Sequence, residues 1–319
     1  MIYSVNGPSG GKLAHLLKCT VLHPDMGWNR FYGEWGRDKV RETTIPMVIN
    51  YGVKKEILIK NNVDPNNCLN YNSEDVADKL KCFEIFDQYN IPHPKVITDP
   101  ANYEGVFLGR KNHSSQGNGI ERFEPKSEDW DKKGSDFFVE YIEVEKEFRV
   151  HVIRGATMEF NKDISKCTNF IHSKQYGSKL HFGALDHPDR FKIVNYSIQA
   201  VKACGLDYGA VDIIVEKGTG RWLVLEVNSA PSLANSFGYY YAQLLNHQYG
   251  LGLKFDWYIN KDHQVIKIPD PFFFGREKEI EKKPLTFKPK YTTFKPSFIW
   301  KKPTIQPSVP LKLHQNPLF

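Results

Sequence analysis

The chain has 319 residues, 40% hydrophobic and 25% charged, the make-up of an ordinary soluble protein long enough for two or three domains. Its formal net charge of +6 is carried by the tail: from Lys282 onward there are eight lysines and no acid, so the remainder is left at −2 and the basic balance does not mark a nucleic-acid-binding body. No apolar run approaches the roughly 18 residues of a membrane span, and the start MIYSVNGPSGGK lacks the basic and apolar pattern of a leader peptide. Five scattered cysteines (Cys19, Cys68, Cys82, Cys167, Cys204) with no C-x-x-C pair fit reduced thiols in a cytoplasmic compartment.

Short apolar pieces at 1–5, 44–53 and 57–59 predict strands of a small α/β unit spanning 1–72. Gly7-Pro8-Ser9-Gly10-Gly11-Lys12 is not a P-loop, because Asn6 stands where the first glycine belongs and Leu13 replaces the hydroxyl; it reads as a turn before a helix over 12–18. The run at 37–41 is a charged loop. Ser73 reads as a helix N-cap, with Val76, Leu80, Phe83, Phe86 and Tyr89 at helical spacing behind it and Lys79 off the apolar face. Strands are predicted at 96–98, 105–109, 120–123 and 137–142. Between the second and third, the small-residue loop 114–119 has the shape of a flap whose backbone N–H groups fold over phosphates.

From Glu147 the pattern puts Glu147, Arg149 and His151 on one strand face and Phe148, Val150 and Val152 on the other, so that the polar face looks like the wall of a site. A polar stretch at 165–183 reads as a mobile loop, 191–204 as an amphipathic helix ended by Gly205, and 236–249 as a last helix. Residues 211–228 form a hairpin around Gly218-Thr219-Gly220. A turn centred on Thr219 pairs Asp212 with Glu226 and Ile214 with Val224. Val211, Ile213, Val215, Leu223, Leu225 and Val227 then share an apolar face, while Asp212, Glu226 and Asn228 gather on the other, a hard-oxygen set suited to Mg²⁺. Beyond about residue 262 the chain turns rich in Pro, Lys and aromatics, and TFKP recurs at 286 and 293. That composition favours an extended tail, either a strap on its own body or an arm at 282–319 that docks a protein partner, ahead of nucleic acid.

In this order the motifs between Ser73 and Leu233 resemble the ATP-grasp superfamily, and within it the RimK-like and D-alanine–D-alanine-ligase-like carboxylate–amine ligases. The segments carrying the resemblance are Asp78-Lys79-Leu80 with Asn90-Ile91-Pro92-His93-Pro94, the run FLGRKNHSSQGNGI, Glu140-Tyr141-Ile142, the stretch from Glu147 to Arg149, and the hairpin. The resemblance implies an α/β (α+β) ATP-grasp fold of two lobes, 73–144 and 145–262, with the nucleotide between them, a substrate-side domain before them and the tail 263–319 after. It implies ATP and two Mg²⁺ ions, with Mn²⁺ as a substitute. Lys79, Arg110 and Lys162 then hold phosphates, and Ser115, Gly117 and Gly119 belong to the flap. The backbone of Glu140, Tyr141 and Ile142 reads adenine, Glu147 holds the ribose, Asp212, Glu226 and Asn228 hold metal, and Arg149 is catalytic. Arg110 stands where the family usually has Lys, which exchanges a point charge for a fork, and Ser114 replaces the first flap glycine. The expected activity is amide formation through an acyl phosphate, on an amino acid, peptide or protein. The alternatives are an ATP-grasp kinase acting on a hydroxyl and a nucleotide-binding scaffold with a docking tail.

Overall fold

The computed structural model describes residues 2–4, 7–17, 19–23, 28–31, 47–114, 117–131, 134–167, 169–233, 237–255, 257–259 and 265–267. The charged run at 37–41, the flap residue Ser115 and the tail at 282–319 lie outside the described residues.

At the N-terminus, β1 (Ile2–Ser4), α1 (Gly7–Leu16), β2 (Thr20–His23), β3 (Trp28–Phe31), β4 (Val48–Tyr51), α2 (Lys55–Lys60) and β5 (Cys68–Leu69) form a sheet of order β3-β2-β1-β4-β5. It is parallel except at β3. Two expectations are corrected here. The glycine-rich segment is not a turn ahead of a helix but the first turns of α1 itself. Its packing explains the composition, since a Cβ on Gly10 would lie 2.1 Å from Ser4 Oγ on β1. Residues 57–59 are helical rather than extended, with Leu58 fully buried and Ile59 exposed; an apolar run this short does not separate strand from helix by periodicity.

Next come a 3₁₀ turn at Ser73–Val76 and α3 (Lys79–Gln88). Ser73 is not the helix cap: its hydroxyl accepts from Asn50 Nδ2 at 3.1 Å, and Asp78 caps α3 by accepting from Lys81 N at 2.9 Å. Lys79 therefore opens the helix, whereas Tyr89, expected on the apolar face, is exposed. Strands β6 (Val96–Ile97), β7 (Phe107–Arg110), β8 (Glu121–Phe123) and β9 (Phe137–Glu140) make an antiparallel sheet of order β6-β9-β7-β8. Ile97, Phe107 and Phe123 form its own small core, closed by Tyr103, Trp130 and Phe138.

The third sheet is antiparallel throughout and holds β10 (Val144–Ile153), β11 (Ala156–Asp163), β12 (Lys179–Phe182), β13 (Tyr208–Glu216) and β14 (Trp222–Asn228), in the order β12-β11-β10-β13-β14. The stretch expected as a loop thus supplies an edge strand, β12. One face of this sheet (Phe148, Val150, Val152, Val211, Ile213, Val215, Val224, Val227) packs with α3 and α4 (Arg190–Ala203) into the main core. Over the other face, Phe160, Tyr208 and Met158 meet α1, the N-terminal strands and α5 (Phe237–Gln248) in a second, aromatic core. Strands β15 (Trp257–Ile259) and β16 (Val265–Lys267) pair as a separate ribbon. Among the described residues no helix is long and apolar enough to cross a membrane.

Hairpin β13–β14 keeps the expected pairing only at one end. Asp212 faces Glu226, but a bulge follows and Ile213, not Ile214, faces Val224, while Ile214 faces Leu223. One extra residue on β14 exchanges the faces beyond it. Val224 joins the main core, and Leu223 and Leu225 leave the expected apolar face to pack with Ile142 and Ile214 on the side of the acids.

Candidate active site

Asp212 and Glu226 are cross-strand partners, and Asn228 lies two residues further along β14 on the same face. Asn228 Nδ2 donates to Glu226 Oε1 at 3.1 Å and to Asp212 Oδ2 at 3.4 Å. From the other side, Arg149 sits opposite Asp212 across β10–β13 and grips it with both arms of its fork, Nε to Oδ1 at 2.5 Å and Nη2 to Oδ2 at 2.6 Å. Burial alone would raise the Asp212 carboxyl, but the Arg149 charge and its hydrogen bonds outweigh it and hold Asp212 below the usual carboxylate range. Burial likewise pulls on Arg149, and Asp212 more than offsets it, lifting the guanidinium above its ordinary value.

One step along the same face, Glu147 on β10 faces Lys162 on β11. Both of its oxygens are engaged: Oε2 takes Lys162 Nζ at 2.5 Å, and Oε1 meets His172 Nδ1 at 2.6 Å. His172 comes from the segment between β11 and β12, which also brings Asn169 and Phe170 to a cavity of about 360 Å³ lined further by Arg122, Tyr141, Ile142, Glu143 and Val144. That volume suits a small-molecule ligand. The Arg122 guanidinium lies 4.8 Å from the Tyr141 ring centre, and Phe170 meets that ring edge-on at 6.4 Å. At the connection between β9 and β10, Tyr141 N bonds Val106 O at 3.0 Å, whereas Ile142 N has no partner among the described residues. Glu140 N bonds Lys95 O at 2.9 Å, and its side chain accepts from Lys95 N at 3.0 Å and pairs with Arg221 at 3.5 Å.

Lys79 and Arg110 complete the basic side. Lys79 Nζ donates to the Ser114 carbonyl and, at 3.5 Å, to that of Asn112, so it is tied to the start of the flap. Burial lowers its pKa, and nearby Glu226 opposes the shift. Arg110, at the end of β7, lies between the Phe83 and Phe137 rings, its guanidinium carbon 6.0 and 5.8 Å from their centres. It is 8% exposed and its buried Nε has no partner among the described residues. Burial lowers its pKa too, again opposed first by Glu226. In the flap, Gly117 and Gly119 both have positive φ, +79° and +69°, and a Cβ on Gly117 would lie 2.2 Å from Ile171 Cγ2. The flap tip thus abuts the segment that carries His172.

His151 lies on the expected face but not in the site. It is buried against Phe160 and Tyr241 with neither ring nitrogen bonded among the described residues. Burial first, and Arg149 second, push its pKa down to about 3, so it is neutral. The sequence reading missed His172, Phe170 and Arg122. Phe170 and Ile171 are the available signal, two apolar residues inside a polar stretch, which marks a segment folding inward. It missed Leu223 and Leu225 because nothing in the hairpin sequence announces a bulge.

The segment after Asn228 is fixed by residues near the N-terminal sheet. Tyr51 Oη donates to the Pro231 carbonyl, Leu233 N to Ser9 Oγ at 3.1 Å, and Asn70 Nδ2 to the Ser229 carbonyl at 3.4 Å. The donor set fits a hard divalent cation accompanied by a polyanion. Two carboxylates and an amide meet on one face, and Arg110 offers a buried N–H without an acceptor. Asn228 presents Nδ2 to the acids, and a half-turn of χ2 exchanges it for Oδ1.

No protein-family model matches the chain, and no curated protein does. Solved structures do. The ATP-grasp ligase PsnB, complexed with precursor peptide PsnA2 and AMPPNP, is similar at 12% identity over 79% of this chain and 96% of that one, with a TM-score of 0.52. PsnB complexed with a minimal precursor gives 14% identity, 73% and 91% coverage and a TM-score of 0.51. Its complex with a phosphomimetic precursor variant, Mg and ADP gives 13%, 73%, 90% and 0.50. The chain has the ATP-grasp fold.

Proposed function

We propose that the protein is an ATP- and Mg²⁺-dependent ligase that joins a carboxylate to an amine through an acyl phosphate. The observation that carries this reading is the convergence of Asp212, Glu226 and Asn228 on one sheet face of an ATP-grasp fold. Asp212, Glu226 and Asn228 would hold magnesium, which would supply charge neutralisation at the phosphates. Lys79, Arg110 and Lys162 clamp the triphosphate, with the unpartnered Arg110 Nε supporting its part in this. Ile142 N serves adenine and Glu147 the ribose, and Ile142, Ile214, Leu223 and Leu225 form an apolar floor beside the acids.

A substrate carboxylate takes the γ-phosphoryl group as ADP leaves, and an amine then displaces phosphate from the acyl carbon. Arg149 stabilises the tetrahedral oxyanion. Gly117 and Ile171, in contact across the site, shield the acyl phosphate from water. No side-chain nucleophile is required, consistent with the neutral, buried state of His151.

Peptides are the first substrates to test, because the similar ligase PsnB was solved with a precursor peptide. The tail at 282–319 is assigned to engaging the protein substrate or a partner, so truncation after Glu281 removes that engagement and leaves nucleotide affinity unchanged. The decisive experiment screens acid–amine pairs for ADP release and identifies products by mass spectrometry. An amide with ADP sustains the reading, whereas a phosphomonoester makes the protein a kinase. No product with any pair, together with biological activity surviving Glu226→Ala, makes it a scaffold.

A further inference from the structure

Arg149 and the two acids of the hairpin are arranged in a way that the ligase reading does not require. Both oxygens of Asp212 are taken by the Arg149 fork, at 2.5 and 2.6 Å, and among the described residues the Asn228 amide, at 3.4 Å, and the Glu226 side chain also approach that carboxylate. Glu226, by contrast, accepts from the neutral Asn228 amide at 3.1 Å. The pair is mostly enclosed, with side chains 20% and 15% exposed, so water screens it little. A divalent cation on Asp212 would sit beside a guanidinium already bound to both oxygens, and the two positive charges would repel each other across the carboxylate.

We propose that Arg149, before its part in the chemistry, competes with the divalent metal for Asp212 and is displaced by it, so that metal binds well only when a nucleotide phosphate is present to receive the freed guanidinium. The inference rests on the metal reading of Asp212, Glu226 and Asn228. Binding of nucleotide and metal becomes coupled through one side chain, and by linkage each tightens the other to the same extent. The exchange also turns the Arg149 fork away from a carboxylate and toward phosphoryl oxygens when a loaded nucleotide is in place, which keeps the site from holding metal by itself.

The test uses the full chain, Mn²⁺ as the metal probe and ADP as the nucleotide, with free Mn²⁺ read by electron paramagnetic resonance. Without ADP, Arg149→Met should bind Mn²⁺ roughly 10- to 100-fold tighter than the unaltered protein, the range set by losing a competing charge-assisted pair. ADP should tighten Mn²⁺ binding strongly in the unaltered protein and much less in Arg149→Met. Arg149→Lys keeps a cation but loses the fork, so it guards against a variant that fails to fold and should fall between the two. Mn²⁺ affinity that is unchanged or weaker in both Arg149 variants, while Glu226→Gln abolishes binding, overturns the exchange and leaves the metal site standing. Mn²⁺ binding that ignores Glu226→Gln overturns the metal reading and the exchange together.

Discussion

One strand, β10, presents the same face to two different environments. At Glu147 and Arg149 the neighbours across the sheet are Lys162 and Asp212, and every charge is matched. Two residues on, His151 faces Met158 and Ala210 and is roofed by Phe160 and Tyr241. Alternation delivers all three side chains to one side, but what stands opposite gives each its character. The polar end keeps its ions because each has a bonded partner in reach. The aromatic end offers His151 none, and the ring stays neutral.

The largest contrast comes from one substitution at each end. Glu226→Ala should cut ATP-dependent turnover by about a thousandfold or more by removing charge neutralisation at the phosphates. His151→Phe should leave turnover within about twofold, since neither ring nitrogen has a hydrogen-bond partner among the described residues to lose. Initial-rate ADP release, with circular dichroism to check folding, compares them; equal losses would erase the distinction between the two ends. Arg149→Met should lower turnover by roughly a hundred- to a thousandfold, as for a lost oxyanion donor. It should also cost about 3–5 kcal/mol of stability, because it leaves Asp212 buried without its partner; urea unfolding measures that cost.

Acid titration sharpens the comparison. Held at about 3 when folded, against roughly 6.5 when unfolded, His151 binds its proton preferentially in the unfolded chain, so stability falls as pH drops from about 6.5 toward 3, by up to about 1.4 kcal/mol per pH unit. Asp212, whose folded pKa is depressed, contributes stability above its unfolded value of about 3.9 and loses it only as pH falls below that. His151→Phe should therefore flatten the melting temperature between about pH 6.5 and 4, and a slope that survives the substitution would place its origin elsewhere. At the bulge, Leu225→Ala should weaken nucleotide binding about three- to tenfold by removing roughly 1 kcal/mol of apolar contact, measured calorimetrically with ADP.

The strand and helix pattern of residues 73–233 was legible because it is periodic. Phe148, Val150 and Val152 alternate with Glu147, Arg149 and His151, and the structure keeps that division. Asp212 faces Glu226 as expected, but the pairs nearer the turn are one residue out of the expected register, so the bulge and not the turn alone sets these acids opposite each other. The N-terminal helices were harder, because Gly10 is glycine for the sake of Ser4 on another element, and Leu58 is buried by a neighbour that its own segment does not name. Ser73 has the chemistry of a cap, yet Asn50 claims its hydroxyl and Asp78 caps the helix instead.

Local order of residue types therefore determined which side chains carry charge and, along β10, which strand face they occupy. Tertiary structure alone decided that a bulge turns Leu223 and Leu225 toward Asp212 and Glu226, that Arg149 closes on Asp212, that His172 reaches Glu147 from a distant segment, and that His151 is walled in by rings. The physical reason is reach. Alternation and turn geometry act over a few neighbouring residues, whereas a charge's partner and its exposure to water depend on segments tens of residues away.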